Sequence, residues 1–155
     1  MNMLVNILIV LFSFISMEGV AWLTHKYLMH GCLWFLHQDH HHKDHADFLE
    51  RNDFFFLIFA LPGIASLFAG FYSDVTGFIW IGTGISIYGA CYFLVHDIYI
   101  HQRFKILRDS NNPYLKAIRR AHKMHHKHLN KEYGECFGML WVPFKYFWEC
   151  KNQNI

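Results

Sequence analysis

No C-x-x-C pair occurs in this chain: Cys32, Cys91, Cys136 and Cys150 stand far apart. That spacing removes zinc ribbons and cysteine-ligated iron–sulfur clusters from consideration and leaves reduced, buried thiols as the expectation. Charge is scarce as well. A formal net charge of +2 provides no global field for a polyanion, and no nucleic-acid module is recognisable, so nucleic acid is not an expected partner. No G-x-G-x-x-G follows a strand and no flavin site is evident, so any reducing equivalents must come from outside. With 155 residues there is room for a core but not for a second catalytic module, and residues 1–155 read as one domain.

Apolar residues are what the chain has in excess. They reach 54%, with aromatics at 19%, and they are gathered in blocks, which is a membrane-protein pattern. The first block runs from Met3 to Leu23, broken only by Asn6, a few Ser and Glu18. A crossing takes roughly 20 helical residues, so it is long enough. No positive residue precedes it and no small-x-small cleavage site follows, so a span is expected rather than a signal peptide. The second block, Phe54 to Tyr72, contains Pro62 and Gly63, a pair that kinks a transmembrane helix more often than it ends one. The third, Gly77 to Ile100, carries Gly82, Ser86 and Ala90 at four-residue spacing, a small-residue stripe that suits a central helix. MLWVPFKYFW, from Met139 to Trp148, is too short to cross and reads as interfacial; a fourth span there is the less favoured count.

Only SDVT separates the second and third blocks, whereas Lys26, Lys43, Arg51, Arg103, Lys105 and Arg108 flank their opposite ends. The positive-inside rule then puts the basic end in the cytoplasm. Three crossings bring every histidine to that same side.

The histidines fall into four groups: His25 and His30 in THKYLMH; His37, His40 and His41 in HQDHH; His96 and His101 in HDIYIH; His122, His125 and His126 in HKMHH. The order H-x4-H, then H-x-x-H-H, is used twice. Positions i, i+3 and i+4 share a helix face, so each triplet is expected to aim three imidazoles at one volume. The H-x4-H pairs fit less well, because five residues turn about 140° on a regular α-helix. They need a helix end or a π-bulge, and Gly31 after His30 suits an end.

In NPYLKAIRRAHKMHHKHL, Asn112 can cap a helix and Pro113 can open it. Leu115, Ile118, His122, His125, His126 and Leu129 then form one stripe, opposite Lys116, Arg119, Arg120, Lys123 and Lys127. Surface histidines would mix with the lysines instead. A lone histidine is usually a satisfied core residue, and HHHKDH alone could be a loose zinc tract. Ten imidazoles on one wet side favour a metal site, and one ion accepts at most six ligands, so two ions are expected. Imidazole suits zinc, copper, nickel and iron alike; position beside lipid, where apolar substrates and O2 dissolve, favours iron. His42, His45 and His128 lie outside the repeated spacing and are expected at the surface. Glu18, costing about 2.5 to 3.5 kcal/mol as a bare charge in mid-bilayer, needs a partner. His25, seven residues on along the same face, is the expected one, directly or through water; a carboxyl buried neutral beside a hydroxyl is the alternative. Asp97, next to His96, and Asp39, inside HQDHH, are weaker candidates for the same role.

Over nearly its whole length the chain resembles the bacterial non-haem β-carotene 3-hydroxylases of the membrane fatty acid hydroxylase and sterol desaturase superfamily. The phrases that carry the resemblance are MEGVAWLTHKYLMHG, LHQDHH, ERNDFFF, YFLVHDIYIHQRF, AIRRAHKMHHKH and GECFGMLWVP. It implies an all-α integral membrane protein with a cytoplasmic-side helical cap, in the bacterial inner membrane. It implies that His25, His30, His37, His40, His41, His96, His101, His122, His125 and His126 are ligands of a di-iron centre, with no departure at those positions. It implies O2-dependent hydroxylation at carbon 3 of β-ionone rings, from β-carotene through β-cryptoxanthin to zeaxanthin, with ketolated rings as further substrates. Ferredoxin is the implied electron donor, and the basic face from Lys116 to Lys127 suits docking of an acidic protein. A recombinant sample could carry zinc in place of iron. Two rivals remain: a hydroxylase of fatty acyl or sterol lipids, and a non-redox membrane metal transporter, although transporters usually hold ligands near the midplane on broken helices. Phe54, Phe55, Phe56, Trp22 and Tyr92 sit near the membrane face, but core packing explains each as well as a ring pocket would.

Overall fold

Residues 2–42, 49–106, 110–129 and 134–152 are described by the computed structural model, and all structural statements concern these. His45, Lys43 and Arg108 lie outside the described residues.

The first apolar block forms α1, Met3–Leu23, opened by Asn2, whose side chain accepts the Leu4 N–H at 3.1 Å. The helix passes directly into a π-helical segment, Thr24–Cys32, and then into α2, Trp34–His41. A short 3-10 turn, Arg51–Asp53, starts α3, Phe54–Tyr72, which runs through Pro62 unbroken as one span. Helix α4, Gly77–Phe93, continues into a second π-helical segment, Leu94–Ile100. The amphipathic α5, Pro113–Lys127, and the short α6, Phe144–Asn152, complete the chain. Among the described residues no strand is found.

Three stretches, Met3–Cys32, Arg51–Tyr72 and Gly77–Ile100, are long and apolar enough to cross a bilayer, and the chain is a membrane protein on that ground. Their outer faces leave Phe12, Phe68 and Phe71 exposed, as lipid-facing residues should be. Helix α4 is the central one. A Cβ at Gly82 would stand 2.8 Å from the Gly63 carbonyl oxygen on α3, and one at Gly84 would stand 2.6 Å from the Val10 carbonyl oxygen on α1. Two residues turn about 200° around a helix, so these glycines admit neighbours on opposite sides. At α6 the nine helical residues are too few to cross, and Trp141, Phe144 and Trp148 are exposed, which agrees with an interfacial segment.

Two expectations need correction. Cys32 is exposed rather than buried, while Cys91 and Cys136 are half-buried and Cys150 is buried; all four are free. Glu18 does not bond to His25. Its carboxylate accepts the Tyr88 hydroxyl at 2.7 Å and the backbone N–H groups of Met139, Leu140 and Trp141 at 2.8–2.9 Å. The reason is axial distance. Seven residues share a face but stand about 10.5 Å apart along the helix, beyond the reach of one carboxylate. The loop after Cys136 fills that interval: the Phe137 carbonyl takes His25 Nδ1 at 2.9 Å and the next N–H groups take Glu18. Such a row of N–H groups forms an anion nest. A Cβ at Gly138 would lie 2.5 Å from a Glu18 oxygen, so a side chain there would push the carboxylate out of its nest.

Candidate metal centre

The sites begin with the way the π-segments present their pairs. A π-helix bonds residue i to i+5, which brings both members of H-x4-H onto one face. The His101 N–H donates to the His96 carbonyl at 2.9 Å, a bond of that type between the two histidines themselves. In the first segment Gly31 breaks the helical backbone with φ −122° and ψ −120° just after His30. Bulge and helix end are thus both used.

The ring nitrogens gather into two sets. In one, the ligand atoms of His25, His30, His37, His41 and His125 all lie within 4.8 Å of one another; in the other, those of His40, His101, His122 and His126 do. His96 joins the second set, with its Nε2 3.0 Å from His40 Nε2. The ten predicted histidines are therefore brought together, but the triplets do not each feed one volume. His37 and His41 serve one set while His40 serves the other, and His122 and His126 serve the second while His125 crosses to the first. Positions i+3 and i+4 diverge by about 100° around the axis, enough for one helix to reach two adjacent volumes. Each copy of the repeated spacing supplies four imidazoles to one set and lends a fifth to the other.

A test of whether a cation fits comes from the outward nitrogens. His25, His30 and His125 direct Nδ1 at the carbonyl oxygens of Phe137, Leu129 and Glu135, at 2.9, 2.9 and 3.1 Å. His37 Nδ1 meets Asn52 Oδ1 at 2.6 Å, His40 Nδ1 meets Glu50 Oε2 at 2.7 Å, and His96 Nδ1 meets Asp97 Oδ2 at 3.2 Å. Carbonyl and carboxylate oxygens only accept, so each of these Nδ1 atoms carries the proton and each neutral ring turns a bare lone pair inward at Nε2. Those lone pairs face one another in His25–His37 at 3.1 Å, His30–His125 at 3.1 Å and His40–His96 at 3.0 Å. No proton remains to bridge them. Two adjacent ligands about 2.1 Å from one ion at a right angle stand about 3.0 Å apart, so the spacing suits a first-row divalent metal.

Burial favours the neutral form of His37, His40, His41, His122 and His125. It lowers His37 to about 3, opposed by the Asn52 hydrogen bond. Burial, then the neighbouring imidazoles, hold His40, His41 and His122 far below the usual histidine range; His125 follows the same pattern. Neutral imidazole is the form that ligates.

Asp97 stands beside His96 as expected, whereas Asp39 Oδ2 accepts the Arg51 backbone N–H at 2.7 Å. His42 is exposed and His128 half-buried, both outside the two sets. Sequence reasoning missed Glu50 and Asn52, which orient His40 and His37. The polar run ERND immediately before an apolar span was the available signal. The carbonyls of Leu129, Glu135 and Phe137 have no such signal, because any residue supplies a carbonyl. The basic face of α5 is also smaller than expected. Arg119 donates to the Tyr99 carbonyl at 2.8 Å and stacks 4.0 Å over the Tyr99 ring, and Arg120 Nε donates to Glu149 at 2.9 Å. Lys123 and Lys127 are the exposed cations of that helix.

Beside the second set lies a cavity of about 820 Å³ between α1, α3 and α4. Phe55, Phe59, Ile85, Tyr88 and Tyr92 wall it, and His96 is the one histidine of the ten that lines it. Tyr92 lies 5.0 Å from the His96 ring, centroid to centroid. Of the five aromatics considered from sequence, Phe54, Phe55, Phe56 and Tyr92 line this cavity, while Trp22 packs edge-on against Tyr27 instead.

The sequence profile of the family described as Fatty acid hydroxylase matches residues 10–144. A "Beta-carotene hydroxylase" of Pseudescherichia vulneris is 42% identical over 140 residues, covering 90% of this chain and 78% of that protein. One of the same name from Pantoea ananas is 40% identical over 138 residues, covering 89% and 78%. "Beta-carotene 3-hydroxylase 2, chloroplastic" of Arabidopsis thaliana is 36% identical over 132 residues, covering 83% of this chain and 43% of the plant protein. No solved structure matches the chain.

Proposed function

The chain belongs to the fatty acid hydroxylase family, and from that membership we propose that it hydroxylates carbon 3 of β-ionone rings, taking β-carotene through β-cryptoxanthin to zeaxanthin, with ketolated rings as further substrates. The relatives named as β-carotene hydroxylases, matched over most of the chain, support that substrate. One observation of the site carries the chemistry: a lone-pair cage of buried imidazoles abuts an apolar cavity at His96.

The ten histidines would hold two iron ions, one in each set. Bound iron supplies reductive activation of O2 and attack on an unactivated C–H bond. Each turnover converts C–H, O2, two electrons and two protons into C–OH and water. The protein's part is positioning and exclusion. Acceptors behind His25, His30, His37, His40, His96 and His125 fix tautomer and ring angle, so that every one of these Nε2 lone pairs points inward. Phe55, Phe59 and Ile85 keep water from the cavity and give a hydrocarbon ring an apolar seat. Tyr92, over His96, bounds the end at which a ring edge would stop.

The two electrons come from an external donor, for which ferredoxin is the candidate, and Lys123 and Lys127 offer it positive charge. Lys26, Arg51, Arg103 and Lys105 at the histidine end support a cytoplasmic orientation of the site in the bacterial inner membrane.

Expression in a bacterial host that accumulates β-carotene, followed by pigment chromatography, tests the substrate. Zeaxanthin is expected, passing through the singly hydroxylated pigment. A host whose carotene stays unchanged while its fatty acyl or sterol lipids gain hydroxyls would move the assignment to another substrate of the family.

A further inference from the structure

The two sets differ in what stands behind their imidazoles. Behind the set of His25, His30, His37, His41 and His125, the identified acceptors are neutral: the carbonyls of Phe137, Leu129 and Glu135, and the Asn52 amide. Behind the other set stand two carboxylates, Glu50 on His40 and Asp97 on His96. Both carboxylates are gripped by one side chain. Arg103 Nη2 lies 3.6 Å from Glu50 Oε2 and 2.7 Å from Asp53 Oδ1, and Arg103 Nε lies 3.4 Å from Asp97 Oδ1. Asp53 in turn accepts the Glu50 backbone N–H at 3.0 Å, and the Arg103 N–H donates to the Asp97 carbonyl at 3.0 Å. The grip is largely out of water, with the Arg103 side chain 14% exposed. It also forms part of the cavity wall: Glu50, Asp53, Asp97 and Arg103 line the same cavity as His96.

Resting on the di-iron reading above, we propose that the two metal positions are inequivalent and that Arg103 is the positioning residue for the one facing the substrate cavity. A carboxylate behind a ligating imidazole fixes the ring and raises its basicity, and loss of such a partner typically costs 10- to 100-fold in metal affinity. Glu50 Oε2 and Asp97 Oδ2 can aim His40 and His96 only while something holds these acids in place and offsets their mutual repulsion. A guanidinium does both, because its rigid fork reaches three carboxylates from one centre. The arrangement comes from different parts of the chain, with Glu50 and Asp53 ahead of α3, and Asp97 and Arg103 at the end of the second π-segment. Arg103 therefore sets metal geometry and cavity wall together. On the other set, Asn52 has the corresponding task for His37.

The test uses the full chain in detergent, loaded anaerobically with ferrous iron, with retained metal counted by elemental analysis across a chelator titration. Wild type should hold two ions. Arg103→Met should keep one ion at wild-type affinity and weaken the other about 10- to 100-fold, with Arg103→Lys recovering part of the loss. Asn52→Ala should also weaken one ion, and the double variant should weaken both, because the two substitutions act on different positions. A double variant that still keeps one ion at wild-type affinity would overturn the assignment, as would an Arg103→Met protein holding both ions normally. Should Arg103→Met fail to fold by circular dichroism, Asp97→Asn takes its place and must weaken one ion by the same criterion. Fewer than two ions on wild type would instead count against the di-iron reading itself.

Discussion

The three spans and the histidine cap are held together by different forces. In the spans, α4 touches α3 and α1 through Gly82 and Gly84, and cohesion comes from backbones approaching until side chains interlock. In the cap, side chains meet at mutually repelling lone pairs, as in His25–His37 and His40–His96, and a bound cation would turn that repulsion into cohesion. One half should therefore tolerate loss of metal and the other should not. The difference also separates stability from activity, since packing errors in the spans leave the lone-pair cage in place.

The sharpest way to break this comparison is to remove His125 and His126 together, one ligand from each set. His125→Ala/His126→Ala should abolish hydroxylated pigment, a loss of more than about 100-fold, given that several kcal/mol of metal chemistry disappears. Far-UV circular dichroism should retain most of its helical signal, because the spans do not depend on the ions. A metal transporter would answer differently, with altered metal accumulation and no change in pigment.

Acid should separate the halves in the same order. His37, His40, His41, His122 and His125 have pKa values lowered by burial, to about 3 for His37. For a lowered pKa the unfolded chain binds more protons than the folded one between the two values, so stability falls as pH drops. The contribution is complete above the ordinary histidine value near 6.5 and is lost progressively down to about 3. Bound metal should leave over that window, since protons compete for the same lone pairs. Metal content and helicity followed along one acid titration should part company; helicity collapsing together with the first iron loss would erase the distinction between the halves.

Within the spans, Gly84→Leu should lower the free energy of denaturant unfolding by about 1 to 3 kcal/mol, because even a Cβ would stand 2.6 Å from the Val10 carbonyl oxygen. Iron per folded chain should not change. Glu18→Gln is a milder probe of the tie between spans and cap. The carboxylate accepts four donors, and the amide keeps one accepting oxygen while adding donors that have no acceptor in a nest of N–H groups. A cost of about 1 to 2 kcal/mol in thermal stability is expected. Had Glu18 held His25, as the spacing suggested, iron affinity would fall as well, so metal titration of this variant checks the correction directly.

How much could be read in advance follows the same division. The ends of α1 and α3, the central place of α4 and the shortness of the helix in the last apolar stretch were legible, because in a bilayer length and hydropathy decide almost everything about a span. The gathering of the ten histidines was legible through a repeated spacing, and the H-x4-H pairs called for a helix end or a π-bulge, of which the structure contains π-segments at both pairs. The partition was not. Which of His37, His40 and His41 serves which set depends on where two helices lie relative to each other, and a single helical wheel carries no information on that. Glu18 was misassigned for a related reason: its partners are backbone N–H groups of a distant loop, and backbone atoms leave no mark on sequence pattern.

The smallest expected effect concerns the cap's outer surface, where the structure narrows what the sequence offered. Five cations of α5 looked available to an acidic electron donor, yet Arg119 is stacked on Tyr99 and Arg120 is paired with Glu149. Reversing those two would disturb packing and confuse any docking result. Lys123 and Lys127 are exposed and lie on the helix that carries histidines of both sets. Lys123→Glu/Lys127→Glu should raise the apparent KM for ferredoxin several-fold at low ionic strength, with kcat nearly unchanged, since rim charges act chiefly on encounter. Raising salt toward 0.15 M shortens the screening length to about 8 Å and should shrink the difference between variant and wild type. Identical KM values at low salt would place the donor on another part of the histidine end and leave α5 as a ligand-bearing helix alone.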